Sequence, residues 1–259
     1  MSNSIVTTKF SNISAINPNV TATWQSRLFL SFDIDWANDE VLADTIKIVR
    51  DAGIASTWFV THNTPLLQEL RSLNGVELGI HPNFNPLLDG HAVDSENTAC
   101  KVLNNVLSIV PNARAIRSHS LTQSERLVEL FRLSGLTHIS NSFVPHGCGF
   151  ELKPFHCWDK MVVVPHCWQD NVALKMPIPF PTEEELLSEF HVFNFHPIHV
   201  FLNTENEDRY ERTRYLHQNP EELIKHRFEG LGTRTRLIAL LKLAGSLSTI
   251  DLAPGRSTL

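Results

Sequence analysis

Short apolar runs alternate along the chain with segments of helical periodicity. Residues 28–32 form an almost continuous apolar run, which is typical of a strand buried on both faces of a sheet. Residues 38–51 repeat apolar side chains at helical spacing, and Asn38 is placed to cap that helix. The same patterns predict strands at 55–61, 76–80, 113–116, 136–139, 161–164 and 191–195, and helices starting near 64, 95, 123, 182, 219 and 233. This alternation predicts an α/β fold with a parallel sheet.

The order of the predicted elements indicates one domain. The chain of 259 residues contains no internal repeat and no linker that would divide it. Polar residues directly follow several predicted strands, at positions that form one rim of a barrel or sheet. We therefore predict a single-domain, distorted (β/α) barrel of about seven parallel strands over residues 26–259. Residues 1–25 are predicted to form an N-terminal arm.

Composition narrows the function classes and the compartment. Hydrophobic residues make up 42% of the chain, enough to bury a sizeable core. The net charge is −6 with no basic tract, which argues against nucleic acid as a partner. We expect no secretory signal in the polar first 24 residues and no transmembrane segment, because no apolar run approaches about 18 residues. The four cysteines form no CxxC pair, so a reduced, cytoplasmic protein is expected.

The chain has 13 histidines, and one of them combines with acidic residues in a pattern that suits a metal. In Asp33-Ile34-Asp35, an extended backbone would put both carboxylates on one face. In the segment from His81 to Asn85, one helical turn would align the imidazole and the amide. One carboxylate, one histidine and one further donor leave an open position on a divalent ion, as catalytic zinc requires. Each pattern alone also fits a helix cap or a turn, but their occurrence after successive strands favours the metal site.

Four predicted strand ends together carry a more specific pattern. They read Phe32-Asp33-Ile34-Asp35, Glu77-Leu78-Gly79-Ile80-His81, Arg117-Ser118-His119-Ser120 and Phe193-Asn194-Phe195-His196-Pro197. In this order they resemble the polysaccharide deacetylases with a NodB-homology domain, known as carbohydrate esterase family 4. The resemblance is closest to the branch of deacetylases found in O-antigen and capsule biosynthesis loci. It spans about residues 28–204 and implies a NodB-like fold.

The resemblance implies roles for the first three strand ends. Asp33 would be the general base that takes a proton from a metal-bound water, and Asp35 and His81 would bind the metal, expected to be zinc. The family places a second histidine four residues after the first, where this sequence has Asn85. Asn85 is therefore the expected third ligand, although an amide oxygen is a weaker zinc ligand than imidazole. Arg117 would orient Asp33 and keep it ionised. The alternative for Arg117 is a surface salt bridge.

The last strand end would supply the general acid. The resemblance implies that His196 gives a proton to the leaving amine nitrogen, with His199 as the alternative acid or a substrate contact. The segment 164–170 resembles the family's penultimate motif. It offers Asp170 to hold His196 in one tautomer. Asp159 is a second candidate for that carboxylate.

Two further residues are expected near the substrate. His119 stands where the wider family has an aromatic-proline loop, so it is predicted to contact substrate or to act as a ligand. Trp168 is predicted to line the cleft, because aromatic faces stack on sugar rings, with core packing as the alternative. His156 and His166, which share a repeated His-Cys-Trp tripeptide, are predicted to be core or hydrogen-bonded histidines.

These expectations lead to one function and two alternatives. The first is a metal-dependent hydrolase that removes an N-acyl group, expected to be acetyl, from an amino sugar in surface polysaccharide or O-antigen biosynthesis. Its carbohydrate substrate would be a nucleotide-linked or lipid-linked precursor. The second is a catalytically impaired NodB-like sugar-binding protein in a glycan-assembly complex, suggested by Asn85. The third is an amidohydrolase that acts on another small amide. The sequence leaves the oligomeric state open.

Overall fold

The computed structural model describes residues 10–88, 98–149, 151–157 and 160–243. Within these ranges nine strands belong to one sheet. The strands are β1 Leu28–Asp33, β2 Ser56–Val60, β3 Val76–Ile80, β4 Ala115–Ile116, β5 His138–Ile139, β6 Phe155–His156, β7 Val162–Val163, β8 Trp168–Gln169 and β9 His191–Phe195.

Helices connect most of these strands. They are α1 Asp39–Ala52, α2 Leu66–Ser72, α3 Asn85–Leu88, α4 Ala99–Leu107, α5 Glu125–Leu133, α6 Asp170–Ala173, α7 Glu183–Ser188, α8 Pro197–Leu202, α9 Glu207–Thr213, α10 Pro220–Leu223 and α11 Thr233–Leu243. None of the helices in the described ranges is long and apolar enough to cross a membrane. The predicted helix segments at 95–97 and 244, and Asp159, lie outside the described residues.

The sheet is mostly parallel, with the strand order β6-β7-β5-β4-β3-β2-β1-β9-β8. All neighbouring pairs run parallel except β6 and β7, which are antiparallel. The predicted α/β architecture is confirmed, with nine strands instead of about seven. The two unpredicted strands, β6 and β8, are two residues long each. They form the two edges of the sheet and do not pair with each other in the described residues, so the barrel stays open.

Strand β1 lies at the centre of the core. All six of its residues are buried between β2 and β9, which explains why its sequence is apolar almost throughout. The ring of Phe32 stacks on Trp58 at 4.1 Å between centroids. The predicted helix that follows is also confirmed. Asn38 accepts a hydrogen bond from the amide of Glu40, and α1 ends at Gly53 in the left-handed conformation (φ +62°).

Residues 10–24 pack against the amino ends of the strands. Ile13, Ile16 and Trp24 are buried beside Phe29 of β1. The imidazole of His138, at the start of β5, donates through Nε2 to the carbonyl of Ile16 at 2.9 Å. The described part of the predicted arm therefore covers the end of the sheet that lies opposite the carboxyl ends of the strands.

Candidate active site

The carboxyl ends of β1, β3, β4 and β9 meet at one rim and surround a cavity of about 600 Å³. Parallel strands place the residues that follow them on the same side of the sheet. The sequence-predicted residues that line this cavity are Asp33, Asp35, His81, His119, His196 and His199. The structure therefore brings together side chains that are up to 166 positions apart in the sequence (33 to 199).

Asp33 is a buried carboxylate at the floor of the cavity. Its Oδ1 accepts a hydrogen bond from Nη1 of Arg117 at 3.0 Å, and its Oδ2 accepts one from Nδ2 of Asn194 at 2.7 Å. Burial alone would raise the pKa of Asp33. The charges of Arg117, His81 and His196 outweigh burial, so that the pKa lies below its ordinary value. Asp33 is therefore held ionised and oriented.

The Arg117 guanidinium is fully buried, so the surface salt bridge considered for it is wrong. Besides Asp33, it donates to the Ser31 hydroxyl at 2.9 Å and to Asn194 Oδ1 at 2.6 Å. It also donates to the carbonyl and the hydroxyl of Ser140, at 3.1 and 2.8 Å. These bonds fix the plane of the guanidinium against Asp33.

Asp35 reaches the cavity by a different route from the one expected. Strand β1 ends at Asp33, and Asp35 and Trp36 have φ values of +35° and +52°. The segment is therefore not extended through both aspartates. Ile34, between them, is buried in the core. A turn closed by the amide of Ala37 on the carbonyl of Ile34 places Asp35 beside the cavity.

Asp35, His81 and His119 form a compact cluster of metal-donor atoms. Oδ1 of Asp35 lies 3.2 Å from Nε2 of His81 and 3.3 Å from Nδ1 of His119. The two ring nitrogens are 3.3 Å apart. Burial would raise the pKa of Asp35, but hydrogen bonds from His119 and His81 hold it well below its ordinary value. One carboxylate and two imidazoles are a donor set that suits zinc.

The orientation of the His81 ring also suits a metal ligand. Its Nδ1 donates to the carbonyl oxygen of Arg117 at 2.6 Å. A carbonyl accepts only, so Nδ1 carries the proton and Nε2 is the atom turned toward Asp35. Metal-binding histidines in proteins are commonly held in this way by a backbone carbonyl. The side chains at this rim therefore fit the divalent ion that the family resemblance implies.

Asn85 is not brought into this cluster. The residues between His81 and Asn85 are not helical, and α3 only begins at Asn85. The expected alignment of the two side chains on one helical turn is therefore wrong. The Asn85 amide donates to the Ser120 hydroxyl at 2.9 Å and accepts from the Thr122 hydroxyl at 3.0 Å. Asn85 is also not among the residues that line the cavity.

His196 is held by a buried carboxylate. Asp170 accepts a hydrogen bond from the His196 backbone amide at 2.7 Å and one from its Nδ1 at 2.5 Å. The free Nε2 lies 3.7 Å from Asp33 Oδ2 and 3.5 Å from Asp35 Oδ2. Burial alone would lower the pKa of His196. The charges of Asp170, Asp35 and Asp33 instead raise it to about 10.

The two predicted substrate contacts on this side of the cavity differ in position. His199 lines the cavity, and burial lowers its pKa to about 4. Trp168 is buried against Phe180 and Phe195, so its predicted place in the cleft is wrong. Neighbouring residues of a strand point to opposite faces, and in β8 it is Gln169 that lines the cavity.

Sequence reasoning missed two residues of this site. Asn194 contacts both Asp33 and Arg117. It interrupts the apolar part of strand β9, residues 192–195, two positions before His196, and that spacing places both side chains on one face. Trp36 is 42% exposed at the cavity wall, with its ring edge-on to His119 at 5.2 Å. An aromatic residue directly after the two aspartates was the available signal.

A curled, mostly parallel sheet with this carboxylate, metal-donor cluster and histidine at its carboxyl rim is the architecture of a NodB-like deacetylase. The chain belongs to the WbmS-like polysaccharide deacetylase family, whose model matches residues 30–214. It is similar to WbmS from Bordetella bronchiseptica, a candidate polysaccharide deacetylase involved in O-antigen biosynthesis. That crystal structure shares 40% sequence identity, covers 93% of this chain and 99% of its own, and superposes with a TM-score of 0.85.

A 4-alpha-glucanotransferase from Thermococcus litoralis matches more weakly. It is 15% identical, covers 66% of this chain and 33% of its own, and has a TM-score of 0.43, too low to bear on the fold. No curated protein matches the chain.

Proposed function

We propose that the protein is a metal-dependent hydrolase that removes an N-acyl group, acetyl in the simplest case, from an amino sugar during O-antigen or related surface polysaccharide biosynthesis. One observation carries this proposal. An ionised carboxylate, a metal-donor cluster and a carboxylate-held histidine face the same cavity. The described role of WbmS in O-antigen biosynthesis supports the biological setting.

Asp35 and His81 would hold the metal ion. When bound, a divalent ion such as zinc polarises the amide carbonyl and lowers the pKa of water. The chain itself prepares these two ligands. The Arg117 carbonyl fixes the His81 tautomer, and the turn at Asp35 aims its carboxylate at His81.

Asp33 would take the proton from the attacking water. Its pKa lies below its ordinary value, so the carboxylate is free to accept a proton at neutral pH. Arg117 and Asn194 each engage one of its oxygens, which leaves the remaining lone pairs to face the cavity. These two residues act by positioning the base.

His196 would donate the proton that the leaving amine nitrogen needs. Asp170 accepts from Nδ1, so the transferable proton sits on Nε2, which faces Asp33 and Asp35. The step balances: the water gives a proton to Asp33 and its oxygen to the acyl carbon, the C–N bond breaks as His196 gives a proton to the amine, and the products are a carboxylic acid and a free amino sugar. Return of the proton from Asp33 to His196 restores both groups.

The cavity wall suits a sugar. Its volume of about 600 Å³ lies in the range of about 300–1,000 Å³ found for small-molecule sites. Trp36 and Tyr210 contribute aromatic surface to the wall, and sugar rings stack on such surfaces. His199 would offer a hydrogen-bonding nitrogen to a sugar hydroxyl.

The proposal is tested by measuring acetate release from zinc-loaded full-length protein. The substrate panel contains free, nucleotide-linked and lipid-linked N-acetyl amino sugars, together with small non-sugar amides. We expect release from at least one amino sugar and none from Asp33→Asn on the same substrate. Turnover of the small amides alone would favour the amidohydrolase alternative. Sugar binding without turnover would favour the sugar-binding alternative, which the position of Asn85 had suggested.

A further inference from the structure

We infer that His119 is the third protein ligand of the metal, and that Asn85 holds the loop that presents it. The inference deepens the proposed function, because it concerns the ion that the site would use. It moves the ligand from the end of β3, where the family resemblance places it, to the end of the neighbouring strand β4.

The spacing of the three donor atoms supports this assignment. Ligands about 2.0–2.1 Å from a zinc ion at the corners of a tetrahedron lie about 3.3–3.4 Å from one another. The three separations among Asp35 Oδ1, His81 Nε2 and His119 Nδ1 are 3.2, 3.3 and 3.3 Å. These atoms therefore already have the spacing of one face of a tetrahedral site.

His81 can face Asp35 either as a hydrogen-bond donor or as a metal ligand. His81 donates its Nδ1 proton to the Arg117 carbonyl, and its Nε2 faces both the Asp35 carboxylate and the ring nitrogen of His119. A protonated His81 donates from Nε2 to Asp35, whereas a neutral His81 turns its Nε2 lone pair toward the carboxylate and needs a cation between them. A metal ion shared by the three atoms would take the place of that Nε2 proton.

The backbone explains how His119 reaches the cluster. Its amide donates to the carbonyl of Pro82 at 2.9 Å, which ties the loop after β4 to the loop after β3. Ser120 and Leu121, which follow, are both in the left-handed region with φ of +56°. Non-glycine residues adopt this conformation at a cost, and such turns persist only where surrounding contacts hold them.

Asn85 supplies those contacts. Its amide nitrogen donates to Ser120 and its amide oxygen accepts from Thr122, so one side chain bridges the turn that follows His119. Asn85 stands at the position of the family's second histidine. It holds the turn after His119, the residue that takes over the role of that histidine as a ligand.

The neighbouring cluster of Asp170, His196 and His199 lacks these properties. The Asp170 oxygens already accept from the backbone amide and Nδ1 of His196 and from the amide of Asn171 at 2.7 Å. This carboxylate is therefore committed to hydrogen bonds. Among the described residues, the Asp35 cluster is the better ligand set.

Metal binding by the chelator-stripped full chain tests the inference without any substrate. Affinity is measured by calorimetric titration with Zn²⁺. We expect His119→Ala to weaken binding by more than about 100-fold, which exceeds the usual effect of an outer-shell change, and Asn85→Ala to weaken it by about 10–100-fold at most. His226→Ala, at an exposed histidine that does not line the cavity, is the matched control and should bind like the wild type.

A cysteine pair separates a ligand from a support. A thiolate that binds Co²⁺ gives a sulfur-to-cobalt charge-transfer absorption, so we expect this band in His119→Cys and not in Asn85→Cys. A band in Asn85→Cys alone, no band in either variant, or wild-type affinity in His119→Ala would overturn the inference. Metal binding through His119 with no acetate release would instead count against the proposed function and leave this inference standing.

Discussion

Single residues in this site act through the charges placed around them. Asp33 and Asp35 lie in one buried cluster, and two like charges close together normally raise one pKa. Both carboxyl groups nevertheless have a lowered pKa. The charges of Arg117, His81 and His196 act on Asp33, and hydrogen bonds from His119 and His81 with the charge of His196 act on Asp35. Asp170 at Nδ1, together with the two aspartates that face Nε2, raises the pKa of His196 in turn.

Replacement of Asp170 by Asn should reveal how much the raised pKa of His196 depends on the Asp170 carboxylate. Asp170 is the largest contributor among the charges that raise the pKa of His196 to about 10. In Asp170→Asn that pKa falls, so the acid form is lost at lower pH and the basic limb of the kcat/KM profile moves to lower pH. We expect kcat to fall by roughly 10²–10⁴-fold, because the tautomer is no longer fixed. Steady-state acetate release across about pH 6–11, which spans the ordinary histidine pKa and the raised wild-type value of about 10, measures both effects.

Asp208→Asn is the control for this experiment. Asp208 is exposed and pairs with Arg212 on α9, away from His196. An unchanged profile in Asp170→Asn, with normal turnover, would contradict the role assigned to the pair.

At the scale of elements, the short loops after the strands decide which side chains meet. Strand β3 approaches β4 closely at Gly79, where a Cβ atom would lie 2.7 Å from the ring of Phe59 and 2.9 Å from the Ala115 carbonyl. This close approach explains why a glycine stands in the segment that precedes His81. It brings the loops after the two strands into contact. The backbone amide of His119 donates a hydrogen bond to the carbonyl of Pro82 across this contact.

The segment 10–24 should stabilise the sheet from its opposite end. Ile13 is fully buried beside β1, and its amide donates to the Thr57 hydroxyl at 3.1 Å. We expect Ile13→Ala to lower the free energy of unfolding by about 2–4 kcal/mol, as buried aliphatic truncations do. Val20→Ala, 45% exposed in the same segment, should change it by less than about 0.5 kcal/mol.

Urea unfolding monitored by circular dichroism measures the two changes. Equal, small effects of the two substitutions would show that residues 10–24 do not contribute to the folded domain.

At the scale of the whole molecule, most of the histidines with a shifted pKa are buried or half-buried and have a pKa below the ordinary value. Burial is the largest cause in each of these, and it lowers the pKa. They are His62, His138, His166, His191, His199 and His217. His81 and His196, the two that face carboxylates, have a raised pKa. Of the two histidines predicted to be core or hydrogen-bonded, His166 is buried and hydrogen-bonded to Gln169, whereas His156 is exposed and donates to the Lys160 carbonyl.

Acid should destabilise the protein through His166, which is buried and has a lowered pKa. Burial lowers the pKa of His166 to about 3, against an unfolded value near 6.5. The unfolded chain therefore binds a proton that the native state does not. This contribution to stability is present above pH 6.5 and is lost as the pH falls toward 3. Between pH 7 and 5 the loss from His166 is about 2 kcal/mol.

Urea unfolding of wild type and His166→Leu at a series of pH values isolates this effect. We expect the wild type to lose about 2 kcal/mol more than the variant between pH 7 and 5. The exposed His226→Leu serves as the control. Parallel pH dependence in wild type and His166→Leu would show that His166 is protonated in the native state.

The sequence by itself determined the alternation of strands and helices, because hydrophobic periodicity is a local property of the chain. It also placed Asp33, Asp35, His81 and His196 at the ends of predicted parallel strands, which converge on one rim, and the resemblance to the polysaccharide deacetylases implied their roles. The tertiary structure alone decided the rest. The left-handed backbone at Asp35, the position of Asn85 outside the metal-donor cluster and the turn after His119 depend on loop conformation and on contacts between distant segments.

The sequence also could not determine which face of the sheet a side chain occupies. Trp168 and Gln169 are adjacent, and only the pairing of β8 with β9 determines which one enters the cavity. In the sequence, Asn194 is only a polar residue within a strand. The structure shows that its side chain is hydrogen-bonded to both Asp33 and Arg117. Local pattern therefore predicts which elements form and where their ends lie. The choice of donor atoms at a shared rim is made by packing between elements, because it depends on differences of an ångström that spacing along the chain does not encode.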